Sequence, residues 1–296
     1  MSSMSTEEDP LEAVLERPCD LHMHSTCSDG RLAPAEMMER AARTGLGLVS
    51  LTDHDTVSGL AEASEAATRL GLRFVSGIEL TCRHPRYKTL HFLGHGLDPE
   101  SEQLRSRLDE QVQARRRRLD AILAKLASEG IELTVEEVLE QAGSSPIGRP
   151  HVADALVKRG DVRSRREAFD RWLSDRGPAG VAAEAMSPEE GIELLHAAGA
   201  LVSWAHPPTF VEDLLPELVA AGLDGIEVKH PGVPAARQAL HARLAEQHGL
   251  LEVGGSDCHG DQQGLSALRA KRVPGTVGAQ LLARLGERAV TADSTT

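Results

Sequence analysis

The sequence predicts an α/β fold in which strands alternate with helices, interrupted once by a stretch that is helical throughout. Three observations carry this. Short apolar runs alternate with helical patterns from residue 17 to about 98. Strand signals then vanish between about Pro99 and Pro188. The alternation afterwards resumes and continues to Gly254. Strands that alternate with helices pack as a parallel sheet with helical crossovers. The expected organisation is a discontinuous α/β body over residues 17–98 and 199–285, a helical insertion over 99–198, and a loose acidic leader over 1–16.

The elements follow in order. Cys19 to His24 (CDLHMH) reads as a first strand. Pro34 to Arg43 opens with proline and then runs in helical period up to Gly45, the usual placing of proline and glycine at helix ends. Leu46 to Thr52 is a buried strand, Ser58 to Leu70 a helix, Leu72 to Leu80 a third strand and Thr89 to Gly96 a fourth. Ser101 to Glu129 is one long charged helix containing Arg115 to Arg118, followed by helices at Val135–Ala142, His151–Arg159 and Arg165–Asp175. The second half reads as helix Gly191–Ala198, strand Ala200–Ala205, helix Asp213–Ala221, strand Gly225–Val228, helix Ala235–His248 and strand Leu250–Gly254.

Composition narrows the function. Hydrophobic residues make up 41% of the 296, enough for a core, but aromatics are only 2%. That argues against a base-stacking platform for single-stranded nucleic acid. A net charge of −13 argues against a grip on double-stranded DNA, which needs a positive surface. A phosphate substrate must therefore be attracted locally, by cations or by a few Arg and Lys. Cys19, Cys27, Cys82 and Cys258 form no C-x-x-C pair, so neither a zinc ribbon nor a disulfide framework is expected. No apolar run approaches the roughly 18 residues of a membrane span, and the polar N-terminus is not a secretory signal. The expected location is cytoplasmic. The Arg115–Arg118 run covers all sides of a helix with Asp109, Glu110 and Asp120 nearby, and reads as a solvated, salt-bridged surface.

Ligand-type residues recur at strand ends. In parallel α/β folds those ends converge on one face, where sites form. His22 and His24 lie two apart, so both point the same way from a strand. Asp29 follows in a Ser-Asp-Gly turn, Asp53-His54-Asp55 closes the second strand and Glu79 the third. His91 and His95 share one face of the fourth, His206 follows the fifth, and Asp257 and His259 follow the last. Imidazole and carboxylate are the usual ligands of zinc, manganese and related ions. A carboxylate such as Glu79 can bridge two ions, the arrangement that cleaves phosphoesters. One such pair means little; the set at consecutive strand ends predicts a metal cluster.

Leu21-His22-Met23-His24-Ser25-Thr26 with Ser28-Asp29-Gly30, Thr52-Asp53-His54-Asp55-Thr56, Gly77-Ile78-Glu79, Ala205-His206-Pro207 and Gly255-Ser256-Asp257-Cys258-His259 together resemble the motifs of the PHP (polymerase and histidinol phosphatase) family. The resemblance spans about residues 19–98 and 199–260. It implies a distorted (β/α)7 barrel with two or three divalent ions (manganese, zinc, iron or magnesium). One ion would be held by His22, His24, Glu79 and Asp257, a second by Asp29, His54 and His259, and a third by Glu79, His91 and His206. His91 is preferred to His95 by its distance after Glu79. Many members carry histidine where this chain has Asp29, which hardens the second site and favours manganese, magnesium or iron over zinc there.

Gly148-Arg149-Pro150-His151 and Glu227-Val228-Lys229-His230-Pro231 resemble a subgroup of nucleoside 3′,5′-bisphosphate phosphatases, some with 5′-3′ exoribonuclease activity on short RNA. The resemblance implies that the insertion forms part of the substrate pocket, and that Arg149, His151 and His230 contact phosphate. A basic Lys229 stands where an aromatic residue is common. The implied activity is hydrolysis of a phosphate from nucleoside 3′,5′-bisphosphates by metal-activated hydroxide, with His22, His24, Glu79, His206 and Asp257 as the catalytic set. The expected partner is a small nucleotide, extending to short RNA, and not a membrane. The alternatives are exoribonuclease, histidinol-phosphate phosphatase, and a non-catalytic PHP structural module.

Overall fold

A computed structural model describes residues 16–143, 145–270 and 273–293. Apart from Glu16, the expected leader lies outside the described residues. Seven strands form one sheet in sequence order: β1 (Cys19–Asp20), β2 (Leu48–Leu51), β3 (Arg73–His84), β4 (Lys88–His95), β5 (Leu201–Trp204), β6 (Gly225–Lys229) and β7 (Leu251–Gly254). The sheet curls until its edges meet. Leu21 N–H donates to Gly254 O at 3.1 Å, Asp257 N–H to His22 O at 2.9 Å, and His24 N–H to Cys258 O at 3.0 Å. The result is a nearly closed seven-stranded barrel. Only Cys19–Asp20 of the expected first strand is regular, because residues 21–24 bond mainly to the segment after β7.

The expected all-parallel sheet fails at β4. This strand pairs antiparallel with both β3 and β5, while β1–β2–β3 and β5–β6–β7 are parallel. The cause is the connection. Only Pro85, Arg86 and Tyr87 separate β3 from β4, which makes a hairpin and leaves no room for a crossover helix.

The barrel interior is aliphatic. Leu21, Leu48, Val75, Leu93, Leu201 and Val253 form one buried cluster with Val277 and Leu281. The last two lie on helix Gly275–Asp293, which, like helix Gln262–Ala270, the sequence reading did not place. Other helices agree closely: Pro34–Arg43, Val135–Ala142 and Ala235–His248 have the expected bounds. The expected helix Arg165–Asp175 is α-helical only to Ala168 and continues as a π turn over Phe169–Leu173.

The chain divides into two compact units, Met1–Leu104 with Met186–Thr296, and Arg105–Ala185. The smaller unit is thus narrower than the expected 99–198. Helix Pro188–Ala197 belongs with the barrel, where Gly191 lies so close to β3 that a Cβ there would clash with Cys82 Sγ. The smaller unit has its own core, which includes Leu119, Ile122, Leu126, Val138, Val152 and Leu156. Its arginine run is occupied internally: Arg116 with Asp120, Arg117 with Glu184, and Arg118 with the Val181 carbonyl. No helix of the described residues is long and apolar enough to cross a membrane.

Candidate metal centre

The segments after β1, β2, β5, β6 and β7, with the middle of β3 and of β4, bring most of the expected residues together at one end of the barrel; Glu79, expected to close the third strand, lies inside β3, which the hairpin with β4 extends to His84. Glu79 is the hub. Its side chain is 1% exposed, and five imidazoles surround it. Oε2 lies 3.1 Å from His22 Nε2, 3.2 Å from His24 Nε2 and 3.3 Å from His54 Nδ1. Oε1 lies 2.9 Å from both His91 Nδ1 and His206 Nε2. Asp257 Oδ1 is 3.1 Å from His24 Nε2 and 3.4 Å from His22 Nε2. Asp29 faces His259 at 3.1 Å, His24 at 3.7 Å and His54 at 3.8 Å.

Among the described residues, three sets of donor atoms lie within 4.8 Å of one another: His22, His24, Glu79 and Asp257; His24, Asp29, His54 and His259; and His54, Glu79 and His91. The first is the quartet that the resemblance implies. The second is the implied trio with His24 added. The third has His54 where the resemblance implies His206, which instead approaches the Glu79 oxygen that also faces His91. Because β4 runs backwards, its N-terminal half lies at the site end. His91 pairs with Thr81, whereas His95 pairs with Gly77, lower in the barrel. His95 is fully buried there and donates from Nε2 to the Leu21 carbonyl at 2.8 Å.

Three residues at these strand ends, Asp55, His206 and Asp257, hold φ of 52°, 31° and 52°. A left-handed conformation costs a non-glycine residue about 1–3 kcal/mol and persists only where the surroundings impose it. Each is pinned. Asp55 N–H donates to Glu79 O, His206 N–H to Glu227 Oε2 at 2.6 Å, and Asp257 N–H to His22 O. The strained turns swing the side chains over the barrel mouth.

Electrostatics keep the carboxylates ionised. Burial alone would raise Glu79, but the imidazoles of His22 and His91 outweigh it and hold the group well below the usual carboxylate range. Burial is likewise overcome at Asp257 by His22, His230 and His24. Asp29, opposed by burial but bonded to His259, is held at about 2. His54 goes the other way: burial, with His24 and His91 beside it, pushes it down to about 3, so the ring stays neutral and keeps one nitrogen lone pair. Buried thiols do not compete, since burial raises Cys19 to about 12 and Cys258 to about 11.

The donors fit a cation. Both ring nitrogens of His24, and Nδ1 of His54 and His91, are buried and make no hydrogen bond, although carboxylate oxygens lie beside them. A buried polar atom without a partner costs about 1–3 kcal/mol. Ring nitrogens and carboxylates that converge in this way, several of the nitrogens without a hydrogen bond, are a divalent-ion donor set.

The residues that aim this set had no role assigned from the sequence, although Asp53 and Glu227 stand in the motifs quoted above. Glu227 is fully buried; His22 Nδ1–H donates to its Oε1 at 2.9 Å, which fixes the ring and aims Nε2 at Glu79 and Asp257, where its lone pair would serve a bound ion. The other Glu227 oxygen holds the His206 backbone, and His241 is buried and donates to the Glu227 carbonyl. Asp53 accepts from Ser25 N–H and both Ser25 and Ser28 hydroxyls at 2.6–2.7 Å, and so clamps the loop that carries Asp29. Asp20 accepts from the backbone of His22 and Ser256. A buried acid within an apolar strand, as Glu227 is in Gly-Ile-Glu-Val, was the available signal. Glu227→Gln keeps the volume but loses the charge behind His22. We expect about a 10- to 100-fold loss of metal affinity or activity, read by manganese titration; unchanged affinity and rate would remove Glu227 from this role.

Of the expected substrate contacts, His230 lies in this cluster. Its Nδ1 accepts from Gly232 N–H at 3.0 Å, so the proton is on Nε2, which donates to Asp257 Oδ2 at 3.2 Å. Arg149 and His151 lie in the smaller unit. Arg149 Nη1 donates to Leu173 O at 2.9 Å and Asp175 Oδ1 at 2.7 Å, with the guanidinium over the Phe169 ring; His151 Nδ1 accepts from Gly148 N–H.

The family model described as "PHP domain" matches residues 20–186. The chain belongs to the PHP domain family. It is 35% identical to the 3′,5′-nucleoside bisphosphate phosphatase of Chromobacterium violaceum, over 83% of this chain and 88% of the relative. It is 33% identical to a 5′-3′ exoribonuclease of Haemophilus influenzae (81% and 89% covered) and to the phosphoribosyl 1,2-cyclic phosphate 1,2-diphosphodiesterase of Eggerthella lenta (81% and 94%). A Bifidobacterium adolescentis crystal structure assigned to the metal-dependent phosphoesterases superposes with a TM-score of 0.74 at 32% identity, covering 90% of this chain and 96% of that one. This PHP member is a phosphoric ester hydrolase with a divalent-metal centre.

Proposed function

We propose that the protein removes a phosphate from nucleoside 3′,5′-bisphosphates, with nine ligands holding up to three ions: His22, His24, Asp29, His54, Glu79, His91, His206, Asp257 and His259. The observation that carries this reading is the convergence of five imidazoles on Glu79, with Asp29 and Asp257 against the same histidine cluster and His230 donating to Asp257 at its edge. The likeness to the Chromobacterium phosphatase supports the substrate class. Bound ions would supply a hydroxide nucleophile and neutralise charge on phosphorus. Manganese, iron or magnesium suits the harder Asp29 set better than zinc.

The chain's own residues do the rest. His22, fixed by Glu227, and His259, whose Nδ1–H is held by the Asp257 carbonyl at 2.9 Å, each present Nε2 to the centre. His230 offers Nε2–H to a phosphoryl oxygen in place of Asp257. Arg149 and His151 are assigned to phosphate contact through their motif. The pair of Arg149 with Asp175 is partly exposed, so exchanging that carboxylate for a phosphate costs little. Two phosphates suit such a site, because one positions the substrate while the other reacts.

The test is phosphate release with added manganese from adenosine 3′,5′-bisphosphate, AMP, histidinol phosphate and a 5′-phosphorylated RNA oligomer. We expect the bisphosphate to exceed AMP by at least about tenfold in kcat/KM, roughly the worth of one charge-assisted contact. Equal rates on the two sink the reading. Faster processing of the oligomer would favour exoribonuclease activity, the reading that the Haemophilus relative supports.

A further inference from the structure

We propose that Lys229 binds the phosphate that is not cleaved, and so sets the preference for doubly phosphorylated substrates; this rests on the bisphosphate reading above. The placement of Lys229 is unusual for a strand residue. Along β6, Glu227 pairs with Val253 but Lys229 already pairs with Gly254, so Val228 is an extra residue and the strand bulges. Without the bulge, Lys229 would point as Glu227 does, and Glu227 is fully buried behind His22. The bulge re-aims it, as bulges beside active sites do, and Lys229 is exposed. Gly254 makes the room. A Cβ at that position would stand 2.6 Å from the Lys229 Cβ.

Lys229 and His230 open onto a cleft of about 450 Å³, completed by Gly232, Val233, Pro234 and Gln238. That volume lies within the range of small-molecule sites, about 300–1,000 Å³. The cleft adjoins the metal centre, since His230 lines it and also donates to Asp257. Its wall is braced: Gln238 Nε2 donates to the carbonyls of His230 and Val233 at 3.2 and 2.8 Å. No acidic side chain lines the cleft, and among the described residues Lys229 forms no ion pair. In a chain of net charge −13, an unpaired ammonium in an acid-free cleft beside the reacting centre is a local anchor for an anion.

The experiment compares wild type with Lys229→Ala, Lys229→Glu and Lys229→Arg, measuring kcat and KM on adenosine 3′,5′-bisphosphate and on AMP with manganese, and thermal unfolding as a fold check. Loss of one charge-assisted bond predicts a fall of about 10- to 100-fold in the bisphosphate-to-AMP ratio of kcat/KM for alanine. The change sits in KM, is larger for glutamate and is largely rescued by arginine. A wild type with the preference and an alanine variant with an unchanged ratio overturns the role of Lys229 alone. A wild type without the preference overturns the bisphosphate reading, and this proposal with it. A loss shared equally by both substrates marks Lys229 as structural and overturns the proposal too.

Discussion

Glu79→Gln is expected to lower kcat/KM by about 10³-fold or more and to empty most of the metal centre, with the fold retained. Both carboxylate oxygens are committed, one toward His22, His24 and His54, the other toward His91 and His206. An amide of the same shape removes the negative charge and turns an N–H₂ donor toward one of these groups. Metal stabilisation of a phosphoryl transition state is worth several kcal/mol, and each 1.36 kcal/mol is tenfold in rate. The backbone at Glu79 is independent of its charge: it sits in the β3–β4 ladder opposite Leu93 and bonds to Asp53 O and Asp55 N–H. The thermal transition should therefore survive. Metal content by atomic emission, beside kcat/KM, decides the matter. A variant with wild-type metal content and activity within tenfold would falsify Glu79 as the hub.

Stripping the metal with a chelator should abolish phosphate release and lower Tm by about 5–10 °C, with both restored by added manganese. An ion at 100 times its dissociation constant stabilises the folded state by about 2.7 kcal/mol. One kcal/mol moves Tm by about 2–4 °C in a domain of 150–250 residues. Protein contacts alone also leave the centre poorly satisfied: both His24 ring nitrogens and Nδ1 of His54 and His91 are buried without hydrogen bonds. Melting curves followed by circular dichroism during a manganese back-titration give the answer. A Tm indifferent to chelator and metal would mean that the cluster is held by its own ion pairs.

Much of this was legible in the chain alone. Ligand chemistry resides in residue type, and strand ends are marked by where apolar runs stop. Hence His22, His24, Asp29, His54, Glu79, His206, Asp257 and His259 were all named, and the structure gathers them into one cluster. Three helices kept their expected bounds because proline, glycine and periodicity act locally.

What only the tertiary structure decided depends on partners distant in sequence. Strand direction is one case. Along β4 alone, His91 and His95 are equivalent; the hairpin at Pro85–Tyr87 reverses the strand, lifting His91 to Glu79 and leaving His95 to brace the Leu21 carbonyl. The aim of the ligands is another, since Glu227 meets His22 across 205 residues and Asp20 meets the Ser256 backbone across 236. The bulge that exposes Lys229 exists only in the register of β6 against β7. The sequence by itself determined which donors exist and that most of them follow a strand, because those properties belong to single residues and their neighbours; Glu79 and His91 lie inside β3 and β4. Orientation, tautomer and reach were decided by the closed barrel, because they belong to pairs that only folding brings together.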